Sequence, residues 1–234
     1  MSLSPASANP PAGSARPASA ILSIDTSVGT AVSIVESDGV VLSVAASPNP
    51  LGHAEVIGGL LVRALAEASL TAAGIAHVAA GMGPGPFTGL RVGIAAARTF
   101  AQGRGVPVVP VVSHDAIALE VFLADALTDA ETPRFAVVTD ARRREFAYSV
   151  YDGIDDDGLP IRSAGPELIA RDALDERLAA LGARRHDAAA VPAAMLGLAA
   201  SRALGAGRTI GPDDALYLRS PDVTVSAGPK RVTP

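Results

Sequence analysis

The sequence predicts a duplicated α/β fold, and three observations carry that prediction. Apolar runs bounded by turn residues alternate with stretches of helical periodicity in the order βββαβαβα over the first half of the chain. A strand–Asp–turn–strand unit, Ile21-Leu22-Ser23-Ile24-Asp25 followed by Thr30 to Val35, recurs as Phe135 to Asp140 followed by Glu145 to Tyr151. The 49% hydrophobic content of the 234 residues is mainly Ala, Val, Leu and Ile with 3% aromatics, so the core is aliphatic and its layers approach closely.

Met1 to Ser19 is mainly Pro, Ala and Ser with a single Arg, lacks the basic and apolar regions of a secretory signal, and reads as a disordered tail. From Ala20 the pattern changes abruptly. Ala20 to Asp25, Thr30 to Glu36 and Val40 to Ala46 read as strands of an antiparallel meander, separated by turns at Asp25 to Gly29 and Ser37-Asp38-Gly39. His53 to Ser69 repeats Val56, Ile57, Leu60, Leu61, Ala64, Leu65 and Ala68 at helical spacing. An apolar strand, His77 to Met82, runs into the turn Gly81-Met82-Gly83-Pro84-Gly85-Pro86-Phe87-Thr88-Gly89, and a small-residue helix follows. Val106 to Val112 is a β-branched strand, and Ser113 is placed to cap a helix over Asp115 to Ala126. Beyond Tyr151 come a loop at Asp155-Asp156-Asp157-Gly158 and two helices, near 172–181 and 192–204. This gives a first lobe over 20–112, a second over 113–220 and a C-terminal tail over 221–234.

The net charge of −5 argues against nucleic-acid binding by bulk electrostatics and leaves room for a local basic patch. Without cysteine there is no disulfide, thiol nucleophile or thiolate metal site. No apolar run approaches the roughly 18–20 residues that span a bilayer, so no membrane contact is expected.

The Gly-Pro turn joins a strand to a helix, where a phosphate often sits. Yet it has no Gly-Lys-Ser/Thr ending, and Pro84 and Pro86 lack the N–H groups a phosphate nest uses. Asp25, Thr26 and Ser27, at the end of the first strand, are candidates for holding a Mg²⁺-bound phosphate; the competing reading is a turn in which Asp25 accepts from the following N–H groups. Arg142, Arg143 and Arg144 follow Asp140 and suit either an RNA phosphate, a partner's carboxylate or a solvated hairpin tip. His53, His77, His114 and His186 form no HxxxH or HExxH pair, and no Ser lies in GxSxG, so no metal set and no catalytic centre are expected. Leu90 to Ala101 is small or apolar nearly all round between Arg91 and Arg98, which suits a helix packed on its own sheet and on a partner as well. Gly58-Gly59 leaves a flat patch on the preceding helix.

Ile21 to Ser27, His53-Ala54-Glu55, Gly83 to Gly93, Asp140-Ala141-Arg142, Tyr217-Leu218-Arg219 and Pro221-Asp222-Val223-Thr224 resemble the bacterial TsaB (YeaZ) family of tRNA threonylcarbamoyladenosine biosynthesis proteins. The likeness covers residues 20 to about 151 and 215 to 232. It implies the actin-like ATPase fold of two related lobes and a cytoplasmic, non-catalytic scaffold subunit. Such a subunit pairs with a TsaD-like catalytic homologue and works with a TsaE-like ATPase, and the complex modifies adenosine 37 of tRNA (t6A biosynthesis). No cofactor is implied for the chain itself; ATP at the partner interface or on the partner subunits is compatible, as is a homodimer in isolation. Pairing through the two first-lobe helices makes Val56, Ile57, Leu60, Leu61, Ala64, Val92, Ala95, Ala96 and Thr99 the expected interface, with Leu60, Leu61, Ala64, Ala95 and Thr99 facing outward.

The chain departs from the family between Leu181 and Pro192, where a strand and a longer connection are missing. The second sheet is therefore expected to be smaller than the first, with Val191 to Leu204 helical. Two rival readings remain at this point. One is a phosphotransferase of the same fold with Asp25 on Mg-ATP; the other is a glycoprotease-type metallopeptidase, which needs a metal site.

Overall fold

The computed structural model describes residues 19–49 and 52–219. Residues 1–18 of the expected tail, the Pro221 to Thr224 match and the 221–234 tail lie outside the described residues. The first sheet holds β1 (Ala20–Asp25), β2 (Thr30–Glu36), β3 (Val41–Ser47), β4 (Ile75–Gly81) and β5 (Val108–Val111) in the order β3-β2-β1-β4-β5. The second holds β6 (Phe135–Asp140), β7 (Glu145–Ile154), β8 (Pro160–Ala170) and β9 (Arg184–Asp187) in the order β8-β7-β6-β9. The helices are α1 (His53–Glu67), α2 (Phe87–Arg104), α3 (Ser113–Leu127), α4 (Leu174–Leu181) and α5 (Ala193–Gly205). None of them is long and apolar enough to cross a membrane.

The duplication is plain in the topology. In each sheet the lobe's first strand is antiparallel to its second and parallel to its fourth. The second sheet has four strands against five, as expected, and Ala193–Gly205 is helical. Two expectations need correcting. Residues 182–190 do contain a strand, β9, parallel to β6. Its Arg184, Arg185, His186 and Asp187 are half-buried or exposed, so no apolar alternation marks it. The stretch after the Asp155 loop is β8, a strand the sequence hides because Gly165-Pro166 interrupts it.

Alternation along β1 builds two cores. Ile21 points to one face with α3 and α5, while Leu22 and Ile24 point to the other with α1 and α2. The layers run α1/α2, first sheet, α3/α5, second sheet, α4. Although α5 belongs by sequence to the 113–220 span, it packs across β1 and β2 of the first sheet. Gly197 permits this, since a Cβ there would meet Ser23 Oγ at 2.5 Å and Val35 Cγ2 at 2.7 Å.

A buried polar cluster fastens α3 to the second sheet. His114 bonds Ser149 Oγ and Thr139 Oγ1, both at 2.9 Å, and Tyr151 donates its hydroxyl to Asp115 Oδ1 at 2.7 Å. Burial lifts the Asp115 carboxyl to about 6, against the pull of Arg162 and of the Tyr151 bond, and pushes the His114 imidazole down to about 3. Asp115 thus supports the fold at low pH, and that support is lost as pH rises toward 6. His114 supports it at high pH, and that support is lost as pH falls from 6.5 toward 3. Between about pH 4 and 6 the two slopes, each about 1.4 kcal/mol per pH unit, oppose one another. Asp115→Asn removes one of them. Urea denaturation should then show the variant's stability rising with pH more steeply than the parent's by about 1.4 kcal/mol per unit; parallel profiles would contradict the account.

Candidate functional site

The Gly-Pro turn is held from below by the turn after β1. Ser27 N–H donates to Asp25 Oδ1 at 2.7 Å, and Ser113 Oγ–H donates to Asp25 Oδ2 at 2.5 Å. Ser113 Oγ in turn accepts the Gly83 N–H at 3.0 Å and sits 2.8 Å from Ser27 Oγ. Ser113 is therefore not the cap of α3 that its sequence position suggests: it lies inside the helix, Val112 occupies the cap position, and its hydroxyl serves the network. Thr26 goes further. Its hydroxyl donates to the Gly89 carbonyl at 2.7 Å and accepts the Gly93 N–H at 3.1 Å, standing between two groups one helical turn apart at the start of α2. A Cβ on Gly93 would run into that hydroxyl.

Asp25, Thr26 and Ser27 thereby all have hydrogen-bond partners within the chain. All three are buried, and burial raises the Asp25 carboxyl above its usual range despite the hydrogen bonds that pull it down. The turn reading of Asp25 is met, since it accepts the Ser27 N–H, and both carboxylate oxygens and the Thr26 hydroxyl have interior partners. Asp140, the matching residue of the second lobe, makes the same turn by accepting the Arg142 N–H at 2.8 Å, but it is exposed and paired with Arg171.

Above this network a cavity of about 490 Å³ lies between the lobes. Ser27, Pro84 to Phe87, Thr139 to Arg143 and Tyr217 to Arg219 line it. The C-terminal segment straps across its mouth: Ile210 pairs with Val111, Leu216 N–H donates to the Met82 carbonyl at 2.8 Å, and Arg219 pairs with Glu145. Tyr217 packs on Phe87 at 4.7 Å, and the Arg91 guanidinium lies 3.7 Å over the Phe87 ring. The tip of the β6–β7 hairpin forms one wall. Arg142, Arg143 and Arg144 have φ of 63°, 50° and 64°, left-handed backbone that costs roughly 1–2 kcal/mol per residue.

The outer helices divide the expected interface residues. Ile57, Leu60 and Ala64 are buried against the chain's own sheet, so the outward placement of Leu60 and Ala64 is corrected. The periodic stripe that marked them is the stripe α1 needs for its own core. Val56, Leu61, Val92 and Ala96 are half-buried at its fringe, while Ala95 and Thr99 are exposed beside Arg91 and Arg98. Sequence reasoning missed Val62, 70% exposed, whose signal is an apolar residue lying off the stripe. Gly58 and Gly59 are exposed, and a Cβ on either would have nothing within 4 Å among the described residues. Of the histidines, His53 bonds Thr30 Oγ1 at 2.8 Å and His114 lies in the core. Among the described residues no group of three or more His, Asp or Glu gathers as a metal set.

Residues 33–176 match the model of the TsaD family, tRNA N6-adenosine threonylcarbamoyltransferase. The chain belongs to that family. An uncharacterised protein of Mycobacterium tuberculosis is 39% identical over 175 residues, 73% of this chain and 75% of that protein. A tRNA N6-adenosine threonylcarbamoyltransferase of Streptococcus suis is 34% identical over 144 residues, 55% of this chain and 42% of that protein. The solved structure of YeaZ from Pseudomonas aeruginosa superposes with a TM-score of 0.67 at 22% identity, over 86% of this chain and 100% of that one. The fold is the actin-like ATPase fold. The span matched to the TsaD family takes in α1, α2 and the arginine tip, and leaves out Asp25 and the Tyr217 strap.

The Thr26–Gly93 contact is open to test. Gly93→Ala should cost about 1–3 kcal/mol by overpacking. The Thr26→Ala/Gly93→Ala double variant should be less damaged than the sum of the singles, read by urea denaturation. Strict additivity would show that the two do not touch.

Proposed function

We propose that this chain is a partner-binding, non-catalytic subunit of TsaB (YeaZ) type in the formation of threonylcarbamoyladenosine on tRNA. In this reading it works in the cytoplasm and pairs with a TsaD-type catalytic subunit, alongside a TsaE-type ATPase. The observation that carries the reading is the outer face of α1 and α2. Gly58 and Gly59 lie in mid-helix, where each costs about 1 kcal/mol relative to Ala, and none of the described residues approaches them closely enough to require glycine. Val62, Ala95 and Thr99 are exposed on the same two helices. A face built of such residues suits close approach of a second helix pair, at about 8 Å between axes. Family membership supports the tRNA-modification context. The phosphotransferase reading loses its central residue, because the Asp25 carboxylate is sealed and bonded internally.

The test is co-purification with a TsaD-type subunit. Ala95→Glu should weaken pairing more than about 100-fold, because a carboxylate would have to be desolvated at the contact, which costs several kcal/mol. The isolated variant should melt like the parent, since its new carboxylate stays in water. Loss of folding along with pairing, or pairing left unchanged, would remove this face from the reading. Gly59→Ala should act in opposite directions on the two measurements. It should stabilise the isolated chain by up to about 1 kcal/mol and weaken the pair. A variant that does only the first would show that nothing approaches Gly59.

A further inference from the structure

The β6–β7 tip combines a strained backbone with concentrated charge. The Glu145 N–H closes the turn on the Arg142 carbonyl at 3.0 Å, which makes Arg143 and Arg144 its two central residues. Both have positive φ, and so does Arg142. Hairpin turns with two positive central φ values are filled by Gly, which has no Cβ to crowd the carbonyl oxygen, and by Asn and Asp, whose short side chains hydrogen-bond the local backbone. Two arginines at those positions are poor choices for folding, and strain of this kind points to a functional demand.

The surroundings say what that demand is. A second cavity, of about 610 Å³, adjoins the one between the lobes and shares Arg143 and Arg219 with it. Five arginines, the three of the tip with Arg171 and Arg219, line the two. Arg171 is paired with Asp140 and Arg219 with Glu145. Arg142 and Arg144 are exposed and have no acidic partner among the described residues. In a chain of net charge −5 this is a local excess of positive charge, spread along a groove rather than focused on one point.

We propose that this groove binds the sugar–phosphate backbone of tRNA directly, with Arg142 and Arg144 as phosphate contacts. The inference rests on the tRNA-modification reading above. The ligand chemistry is phosphate ester, and the shape of the site favours a polymer over a free nucleotide. A triphosphate needs converging N–H groups and a metal-holding carboxylate, whereas here Pro84 and Pro86 have no N–H to offer and Asp25 is sealed. Guanidinium groups set along a rim instead match successive phosphates, each of which accepts a forked pair of hydrogen bonds.

The experiment is fluorescence anisotropy of a labelled tRNA transcript against the full chain, alone and paired with its TsaD-type subunit, over a salt series. Arg142→Gln/Arg144→Gln should weaken binding roughly tenfold per arginine. It should also lower the slope of log affinity against log salt by about 2. Arg144→Gly guards against a folding artefact. It removes a strained left-handed side chain, so its melting temperature should rise while its affinity for the transcript falls. Unchanged affinity and slope in these variants, or no binding by the parent in either form, would overturn the proposal. ATP displacing the transcript at micromolar concentration would overturn it too, by assigning the arginines to a nucleotide. Pairing measured on the same double variant separates the two readings. Intact pairing with unaltered RNA affinity sinks the groove and leaves the subunit role standing; a parent chain that never pairs sinks the subunit role, whatever the RNA result.

Discussion

The turn Asp25-Thr26-Ser27 is the constraint on which the first lobe and the cleft depend. Three segments far apart in sequence meet on it. Asp25 reaches the start of α3 through Ser113, Ser113 reaches the Gly-Pro turn through the Gly83 N–H, and Thr26 reaches into α2 between Gly89 and Gly93. All these groups are buried, so each bond forms where an unmade one would leave a desolvated polar atom, at about 1–3 kcal/mol. Their geometry is coupled: moving the turn would displace the first turn of α2, the start of α3 and the wall of the cavity together. The Asp25 carboxylate therefore acts as a rivet between these segments.

A second consequence is rigidity between the lobes. Helices α3 and α5 lie between the two sheets and belong to one continuous core with Ile21, Val111, Phe135 and Tyr151. The strap from Ile210 to Arg219 crosses the cleft mouth and touches β5, the Gly-Pro turn and β7 in succession. A hinge that closes over a ligand needs a weakly packed boundary. This boundary is packed from within by helices and tied from outside by the strap.

Legibility in the sequence followed burial. β1 and β2 were bounded to the residue because both are buried and end in turn chemistry, and the Asp25 and Asp140 repeat survived as the same local turn in both lobes. β8 and β9 were not legible, since edge strands need no apolar alternation and their Arg, Glu and Pro residues look like loop. The outer helices failed differently. Periodicity finds an apolar stripe, and the stripe of Ile57, Leu60 and Ala64 belongs to the chain's own sheet. Only residues off that stripe, such as Val62, or without need of their own smallness, such as Gly58 and Gly59, can speak for an external contact. The role of Ser113 was hidden for a similar reason: a serine before a helix reads as a cap, and nothing local reveals that its hydroxyl points to a carboxylate 88 residues away in sequence.

The glycines illustrate why residue type alone cannot separate folding from function. Gly93 and Gly58 both sit inside helices, and both carry the same intrinsic penalty of about 1 kcal/mol. For Gly93 the offset lies within the chain, in the Thr26 hydroxyl that a methyl group would evict. For Gly58 no such offset exists among the described residues, and alanine would be the better choice by helix propensity. The arginine tip repeats the contrast in another form, with left-handed backbone occupied by side chains that gain nothing from it locally. In each case the unexplained cost lies at the surface, on the outer helices and at the cleft rim. Among the described residues the interior, by comparison, is consistent from alternation to hydrogen bonding, save for the Ser23 and Ser33 hydroxyls, Arg104 Nε and Arg162 Nη1, which are buried without a hydrogen-bond partner. Ser23 lies where Gly197 makes its close approach, so there the unmade bond is the counterpart of close packing.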